Sequence, residues 1–364
     1  MWEQASSGTP LAVLLFVSGH GLGHITRSAV LAEALLGTGA IGRLLVAAPR
    51  RGWCFFTAST ASDPRIDLWD VETDFGIPFG AGEMIPDVVT LQGAVERWVS
   101  SWPDAIGAGY RHLAANHIDL AVVDASPLGC AMAKKAGIPC ILVSNFEWHA
   151  QYVGLGLKGA AIDQIGEAYV SSVRYLRYPF HLASRALATV PTIDVPACVR
   201  AADSASVARL VERLPSPRVL LSIGGILDLV EPIEIDPIGG SVIFTRGIRV
   251  HAPRTATVVD LSSEQADLVP YIGAADVVVT KAGWSTVAET AVARRPLLII
   301  RRPGMPEDDS TARQVVARGL GHCTTLTELP ERLYSLLQAG FPPTPGLVNN
   351  PGAVAEACLA GSLL

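Results

Sequence analysis

The sequence predicts an α/β protein with two similar halves. Short apolar runs of strand length alternate with stretches of helical character, which is typical of parallel sheets covered by helices. This alternation occurs twice along the 364 residues, and the proline-rich interval Val190–Pro217 separates the two series. We therefore predict an N-terminal domain over 1–195, a linker over 196–217 and a C-terminal domain over 218–364. The two domains should face each other across a cleft, with the last helix free to pack back on the first domain.

The first half opens with the continuous apolar run Leu11–Val17, as expected for a strand that is buried on both faces. A glycine-rich loop follows, and Ser28–Leu36 has helical character. Further strands are predicted at Arg43–Ala48, Ile66–Val71, Leu120–Asp124 and Cys140–Ser144. Helices are predicted at Leu91–Ala114 and Leu128–Ala136.

The second half repeats the pattern from Arg218 onward. Its predicted strands are Val219–Ile223, Ser241–Thr245, Thr257–Asp260, Asp276–Thr280 and Pro296–Ile300. Its predicted helices are Glu264–Ile272, Ser285–Ala293, Asp309–Arg318 and a last one within Ala353–Leu363.

Composition excludes several classes of protein. With 49% hydrophobic and 17% charged residues the chain is not of the disordered class, and a net charge of −6 without basic blocks argues against a nucleic-acid partner. Apolar runs are far too short to span a bilayer, and the N-terminus does not resemble a signal peptide. Six scattered cysteines argue against a zinc knuckle or a disulfide scaffold. We expect a reduced, soluble, cytoplasmic protein.

The loop after the first predicted strand is the first candidate site, because parallel sheets bind ligands beyond the carboxyl ends of their strands. Gly21 and Gly23 would let the backbone approach a ligand, and the following helix N-terminus suits an anion. His20 and His24 could act as general bases near neutral pH. The alternative is a turn that simply needs its glycines.

Two further strand ends carry polar side chains. Asp124 could orient and stabilise a histidine of the first loop, or it could cap the next helix. The following strand leads into Asn145, Glu147, Trp148 and His149, which could hold a hydroxylated acceptor or serve as packing.

The second half contains a candidate donor site. Gly224 and Gly225 follow a predicted strand and would permit close approach of a ligand. The other candidates lie where a second predicted strand ends, turns at a glycine and leads into a helix. They are Lys281, Gly283, Trp284, Ser285, Thr286 and Glu289. Ser285 or Thr286 can cap the helix, whose free N–H groups would face a diphosphate.

Three carboxylates complete the donor site. Glu289 could accept hydrogen bonds from a ribose diol, or it could form a capping box with Thr286. Glu307 and Asp308 could bind sugar hydroxyls, or they could be solvated beside Asp309 as a helix cap. Neighbouring carboxylates at Asp308 and Asp309 are only a weak indication of a divalent metal.

The run Val277–Glu289, followed by Pro296–Gln314, resembles the donor-binding region of GT-B glycosyltransferases of the cell-wall N-acetylglucosaminyl transferase group. That resemblance implies that Gly283, Ser285 and Thr286 hold the diphosphate.

The same resemblance implies that Glu289 holds the ribose. It places the donor-sugar pair at Glu307 and Asp308, where the group often has Gln-Gln or Asp-Gln.

The run Ser18–Arg27 is similar to a Ser-Gly-His-Gly-x-Gly-His-x-Thr-Arg motif in the glycosyltransferase-like part of plant-type L-arabinokinases. The similarity continues through Val122–Asp124, Ala136–Pro139 and Val143–Trp148 to Ile193–Pro196. The sugar-kinase half has no counterpart, so the resemblance does not imply kinase activity.

In natural-product and plant glycosyltransferases a loop histidine deprotonates the acceptor and a strand-end aspartate supports it. These roles fall on His24 and Asp124, although His24 could instead contact the diphosphate, and His20 is a rival base.

Together these resemblances imply a GT-B fold of two Rossmann-like domains. They imply transfer from a nucleotide diphosphate sugar, with a UDP-sugar as the first guess, to a hydroxyl or amine of a small soluble acceptor. We expect inversion and no metal or other cofactor. The alternatives are a nucleotide-sugar binding or regulatory module, and a GT-B epimerase that would use Glu307 and Asp308.

Overall fold

The computed structural model describes residues 10–59, 63–79, 85–224, 229, 231–262 and 267–360. It contains one large parallel sheet in each half, which confirms the predicted α/β class. In these ranges no helix is long and apolar enough to cross a membrane.

The first sheet has seven parallel strands in the spatial order β3-β2-β1-β4-β5-β6-β7. The strands are β1 (Leu11–Val17), β2 (Ile41–Ala48), β3 (Ile66–Asp70), β4 (Leu120–Asp124), β5 (Cys140–Ser144), β6 (Arg174–Arg177) and β7 (Thr192–Asp194). The central strands are buried because helices cover both faces of the sheet, and this explains their unbroken apolar runs.

The helices of this half are α1 (Leu22–Gly37), α2 (Trp53–Ser59), α3 (Val88–Ser100), α4 (Trp102–Ala115), α5 (Pro127–Ala136), α6 (Trp148–Gly154) and α7 (Ala160–Val170). The single helix predicted at Leu91–Ala114 is wrong, because α3 ends at Ser100 and a second helix follows. Pro103 lies in the first turn of α4, where its missing N–H is tolerated.

The second sheet has six parallel strands in the order β12-β10-β8-β13-β14-β15, and β9 and β11 form a separate pair. The strands of this half are β8 (Arg218–Ser222), β9 (Ile233–Glu234), β10 (Ser241–Phe244), β11 (Val250–His251), β12 (Thr257–Asp260), β13 (Val277–Lys281), β14 (Leu297–Ile300) and β15 (Gly321–Thr324). The remaining helices are α8 (Ser204–Arg213), α9 (Val269–Ala274), α10 (Trp284–Val292), α11 (Pro306–Ala317), α12 (Leu329–Ala339) and α13 (Pro351–Leu359).

The interval predicted as a linker contains the helix α8. Asp203 begins it, since its carboxylate accepts hydrogen bonds from the backbone of Ala205 and Ser206 at 3.4 and 2.8 Å. The predicted helix Glu264–Ile272 lies partly outside the described residues, and its described part overlaps α9, which begins at Val269 and ends at Ala274.

The C-terminal helix α13 crosses back to the first half. Arg174 of β6 donates to the carbonyl oxygens of Ala357 and Ala360 at 3.2 and 2.6 Å. Cys358 of α13 belongs to the same buried apolar cluster as Leu35 of α1. The two halves therefore share part of their core.

Each sheet has one point where the strand order reverses. In the first sheet this point lies between β1 and β4, and in the second it lies between β8 and β13. Ligands of open α/β sheets bind in the crevice at this point, beyond the carboxyl ends of the strands. The two crevices adjoin, because Ser285 Oγ at the start of α10 donates to the Gly23 carbonyl of α1 at 2.9 Å.

Candidate active site

The glycine loop after β1 brings the two halves into contact. Gly21, just before α1, has φ 81°, a conformation that favours glycine. At Gly23 an added Cβ would lie 2.8 Å from Ser285 Oγ. Both predicted glycines are thus needed by the loop, and Gly23 permits the close approach of the C-terminal half.

His24 and Asp124 lie together at the first crevice. His24 is buried, and its Nδ1 is 2.9 Å from Asp124 Oδ1 and 2.9 Å from Arg27 Nη2. Burial lowers the pKa of His24, and the charge of Arg27 lowers it further against the opposing effect of Asp124. The imidazole is therefore neutral at pH 7.

The proton position on His24 decides what its ring can do. The ionised carboxylate of Asp124 is the strongest acceptor beside Nδ1, so the geometry favours a proton on Nδ1 that is donated to Asp124. Nε2 then carries the free lone pair that a general base needs.

Asp124 is surrounded by donors. Arg27 reaches both of its oxygens, with Nε 2.8 Å from Oδ2 and Nη2 on Oδ1, and Ser28 Oγ donates to Oδ2 at 2.9 Å. Burial alone would raise the pKa of Asp124, but Arg27 and His24 lower it well below its usual range. The carboxylate is therefore permanently ionised, and Ser126, not Asp124, caps α5.

Arg27 is a site residue that sequence reasoning missed. Its Nη1 donates to Asn145 Oδ1 at 2.7 Å, and its guanidinium lies 4.8 Å from the ring centre of Trp284. One signal could have found it, since Arg27 follows His24 by three residues and so shares its helix face.

His20 lies in the same crevice in a different state. Its ring packs edge-on against Trp148, and its Nδ1 accepts from the Ile77 amide at 3.4 Å. Burial lowers the pKa of His20 to about 3, with further lowering by His24 and Lys281. Because Nδ1 accepts, Nε2 carries the proton, so this geometry favours a hydrogen-bond donor over the base predicted for His20.

Asp74 is a second missed residue. Its Oδ2 accepts from Ser18 Oγ and, at 3.1 Å, from Trp148 Nε1. Burial raises the pKa of Asp74 to about 6, although these hydrogen bonds lower it. Asp74 lies in a segment without helix or strand, so no periodicity marks it in the sequence.

The predicted acceptor residues divide into two groups. Trp148 is buried between His20 and Asp74, and its Nε1 donates to Asp74. Asn145 lies in the crevice, but both ends of its amide are engaged, since its Nδ2 donates to Glu307 Oε1 at 2.8 Å.

Glu147 and His149 require a correction. Glu147 is buried as the cap of α6, accepting from the Ala150 amide at 2.9 Å and from Ser184 Oγ at 2.6 Å. His149 packs on α7, where a Cβ on Gly166 would lie 2.9 Å from its Cδ2. Both side chains are therefore held by local contacts of α6 and α7.

The second crevice contains Lys281 at the end of β13. Gly224, with φ 75°, lies beside it, since an added Cβ there would be 3.3 Å from Lys281 Cε. At Gly283 an added Cβ would be 3.0 Å from Nζ. Burial lowers the pKa of Lys281, as does Arg302. Gly225 lies outside the described residues.

The amine of Lys281 has neither an ion-pair partner nor a hydrogen-bond acceptor among the described residues. Throughout the described ranges, no carboxylate lies within ion-pair distance of Nζ, and no acceptor forms a hydrogen bond with it. The first-turn amides of α10 begin beside it, because Gly283 precedes the helix and supplies no side-chain cap.

The start of α10 differs from the prediction. The helix begins at Trp284, so Ser285 and Thr286 lie inside its first turn and do not cap it. Ser285 instead contacts Gly23, and the Thr286 carbonyl accepts from Thr290 Oγ1 at 2.6 Å.

Trp284 joins the two halves. It is buried, and its Nε1 donates to the Pro179 carbonyl of the first half at 2.6 Å. Because its polar atom is satisfied there, its predicted role in donor binding is corrected to packing.

Glu289 is buried on α10 and forms no capping box. Its Oε1 accepts from Arg200 Nε at 2.8 Å, and Arg200 Nη1 contacts Asp267 Oδ1 at 3.0 Å. Burial raises the pKa of Glu289, whereas Arg200 lowers it.

The two residues predicted to bind the donor sugar, Glu307 and Asp308, have different partners. Asp308 is buried in a two-bond ion pair with Arg302, at 2.7 and 2.8 Å, so it is not free to bind a sugar. Glu307 accepts from Asn145 across the cleft, and burial raises its pKa. Met305, not Asp309, precedes α11.

No group of three or more His, Cys, Asp or Glu side chains that could hold a metal ion occurs in the part of the chain that the structure describes.

Comparison with known proteins extends these observations. Residues 254–355 match the glycosyltransferase family 28 C-terminal domain. The L-arabinokinase of Arabidopsis thaliana is 26% identical over 320 residues, covering 84% of this chain. The chain spans 29% of the length of that relative.

Solved glycosyltransferase structures superpose on nearly the whole chain. Arabidopsis thaliana UGT89C1, complexed with quercetin, has a TM-score of 0.61 at 14% identity, with 95% of this chain and 92% of that one covered. This is the GT-B fold. LpCGTa in complex with UDP gives a TM-score of 0.60 at 16% identity, covering 98% of this chain and 95% of that chain.

The spinosyn forosaminyltransferase SpnP shares the GT-B fold with a TM-score of 0.58 at 17% identity, covering 98% of this chain and 95% of its own. The resemblance to GT-B glycosyltransferases predicted from the sequence is thereby confirmed.

Proposed function

We propose that this chain transfers a glycosyl group from a nucleoside diphosphate sugar to a hydroxyl or amine of a small acceptor, with inversion and without a metal. The observation that carries the proposal is the ammonium of Lys281, which has no partner among the described residues and lies in the crevice of the second sheet.

A partly buried cation that no described residue pairs with is less stable than a paired one. It is expected where a ligand brings the opposite charge. Gly224 and Gly283 leave room around the amine, and the first turn of α10 adds free N–H groups and the positive end of a helix dipole. A diphosphate matches all three features.

Two similar structures support the choice of donor. LpCGTa was solved with UDP, and Medicago truncatula UGT71G1, with a TM-score of 0.59 at 12% identity, was solved with UDP-glucose. A UDP-sugar is therefore the first donor to test.

The first crevice supplies the base. His24 Nε2 would accept the acceptor proton as the acceptor oxygen or nitrogen attacks the anomeric carbon, while Asp124 holds the ring through Nδ1. The bond from the anomeric carbon to the diphosphate breaks on the opposite side, which inverts the configuration. Lys281 and the α10 amides would stabilise the charge of the leaving diphosphate.

Other side chains would contact the acceptor and the donor. Asp74 and the Nε2–H of His20 would face the acceptor, and the buried Trp148 would hold both of them in place. Glu289 would accept the ribose hydroxyls and Glu307 a sugar hydroxyl. An epimerase would need a carboxylate pair around the sugar, and this is not favoured because Asp308 is held by Arg302.

A thermal-shift screen tests the donor site. Purified protein would be heated with UDP, dTDP, GDP and ADP, with magnesium or with chelator. We expect at least one nucleotide to raise the melting temperature equally under both conditions, because a ligand of the folded state stabilises it by mass action. No shift with any nucleotide would overturn the donor assignment, and a shift that requires magnesium would overturn metal independence.

A turnover assay distinguishes a transferase from a binding module. The protein would be incubated with a panel of phenolic and amine acceptors and with a sugar derivative of the nucleotide that raises the melting temperature in the screen. A transferase releases nucleoside diphosphate in an acceptor-dependent manner. Saturable binding without release from any acceptor would instead indicate a nucleotide-sugar binding module.

A further inference from the structure

Arg200 connects the interval between the two domains to the buried carboxylate on α10. Its Nε donates to Glu289 Oε1 at 2.8 Å, and its Nη1 lies 3.0 Å from Asp267 Oδ1. Glu289 itself is only 4% exposed. Elsewhere in the described residues no hydrogen bond reaches Glu289 Oε2, so one carboxylate oxygen is left for another partner.

The backbone before Arg200 is fixed. The Val199 amide donates to Asn349 Oδ1 at 3.1 Å, and Asn349 Nδ2 donates back to the Val199 carbonyl at 2.9 Å. The Ala197 amide donates to the Val348 carbonyl at 3.0 Å. Arg200 therefore extends from a rigid segment, and its guanidinium is held between an exposed and a buried carboxylate.

This arrangement fixes both the rotamer and the charge of Glu289. Burial favours the neutral acid, and Arg200 is the nearby cation that opposes it. An ionised carboxylate accepts hydrogen bonds through both oxygens, whereas the neutral acid must place one proton. Loss of Arg200 would therefore change what Glu289 can accept.

We propose that Arg200 is the positioning residue of the ribose subsite: it holds Glu289 ionised and turned so that Oε2 accepts a ribose hydroxyl. This inference rests on the proposed function, because it places a nucleoside next to the diphosphate at the start of α10. Glu289 is five residues beyond Trp284, about 8 Å along the helix axis at 1.5 Å per residue, and this distance suits a ribose attached to that diphosphate.

The ligand class that follows is a ribonucleotide, distinguished from its 2′-deoxy form. A hydrogen bond to a charged carboxylate contributes about 10- to 100-fold in affinity. We expect the wild-type protein to bind one of UDP, GDP and ADP about tenfold or more tightly than the matching 2′-deoxy nucleotide.

Isothermal titration of Arg200→Met with both nucleotides tests the role. Discrimination should fall to about threefold or less at pH 7, while the affinity for the deoxy nucleotide changes by less than about twofold. The charged groups facing Glu289 are Arg200 and Asp267. Raising the pH should restore discrimination in Arg200→Met, because Glu289 ionises again.

Two variants make the result specific. Arg200→Lys keeps the charge and should retain part of the discrimination, and it serves if Arg200→Met does not fold. Arg177→Met is the matched control, because Arg177 is exposed to a similar degree, 32% against 29%, and pairs with Asp194 through the same type of Nε–O contact. It should leave discrimination unchanged.

The outcomes separate the two proposals. Equal loss of affinity for both nucleotides in Arg200→Met, or discrimination that does not respond to pH, would reduce Arg200 to a structural ion pair and overturn this inference alone. Equal wild-type affinity for the ribo and deoxy forms would overturn this inference together with the ribose role of Glu289, and it would leave the proposed diphosphate site at Lys281 standing. Failure of every nucleotide to bind the wild type would overturn the proposed function as well.

Discussion

The two crevices of this molecule differ in whether their charged side chains have partners. At the first sheet Asp124, Arg27 and His24 satisfy one another in a buried network. At the second sheet the amine of Lys281 has no such partner among the described residues. The first crevice thus holds its charged side chains in a fixed geometry, and the difference supports the proposal that the second crevice receives an anionic ligand.

The comparison makes opposite predictions for stability. Arg27→Met leaves Asp124 buried without its cation, so we expect a loss of about 3–5 kcal/mol in the free energy of unfolding. Lys281→Met removes a cation that no described residue pairs with, so its stability should be unchanged or higher by about 1 kcal/mol. Urea denaturation measures both.

An exposed ion pair gives the baseline for that experiment. Arg43 pairs with Asp67 at 2.7 Å with both side chains well exposed, so Arg43→Met should cost about 1 kcal/mol or less. If Lys281→Met destabilised the protein as strongly as Arg27→Met, the proposed difference between the crevices would be wrong.

Turnover should depend on the first crevice more than affinity does. His24→Ala removes the proposed base, and general-base catalysis contributes about 10²-fold or more. Steady-state release of nucleoside diphosphate should fall by that factor, with the nucleotide Kd within about twofold of wild type. An equal loss of nucleotide binding would assign His24 to the diphosphate.

His149 provides the matched histidine control. Its ring packs on Gly166 of α7, so His149→Gln should leave turnover unchanged. A large loss there would restore the acceptor role that the structure argues against.

The smallest expected effect concerns Asp74. Its pKa is about 6 in the folded protein, above the value near 3.9 of an unfolded chain. The folded state therefore binds the proton more tightly, so this contribution to stability is present at low pH and is lost as the pH rises through 6. Between about pH 5 and pH 7.5, Asp74→Asn should gain about 1 kcal/mol relative to wild type.

Paired thermal melts at these two pH values measure that gain, with the exposed Glu72 as control through Glu72→Gln. A difference between Asp74→Asn and wild type that stays constant with pH would show that Asp74 is not a buried, titrating group of the first crevice.

The sequence predicted the strands best. Leu11–Val17, Leu120–Asp124 and Cys140–Ser144 have the predicted bounds because strands buried on both faces are continuous apolar runs. Helix starts were harder, since Gly283 and Met305 precede α10 and α11 without a capping side chain. Such starts carry no polar signal.

The sequence predicted candidate residues but not their partners. Asn145 meets Glu307 across 162 residues, and Arg200 meets Glu289 across 89. Periodicity reports only neighbours within an element, so pairs formed by tertiary packing are invisible to it. The same limit concealed Asp74, whose partners Ser18 and Trp148 are 56 and 74 residues away in the sequence.

The central claim is that Lys281 binds the diphosphate of a nucleotide, and that this binding needs no metal ion. The most direct test is titration of UDP, or of the nucleoside diphosphate that responds in the screen, into wild type and Lys281→Met with chelator present. We predict submillimolar to micromolar binding by the wild type and an affinity about 10- to 100-fold weaker in the variant. Equal affinities in the two proteins would contradict the account.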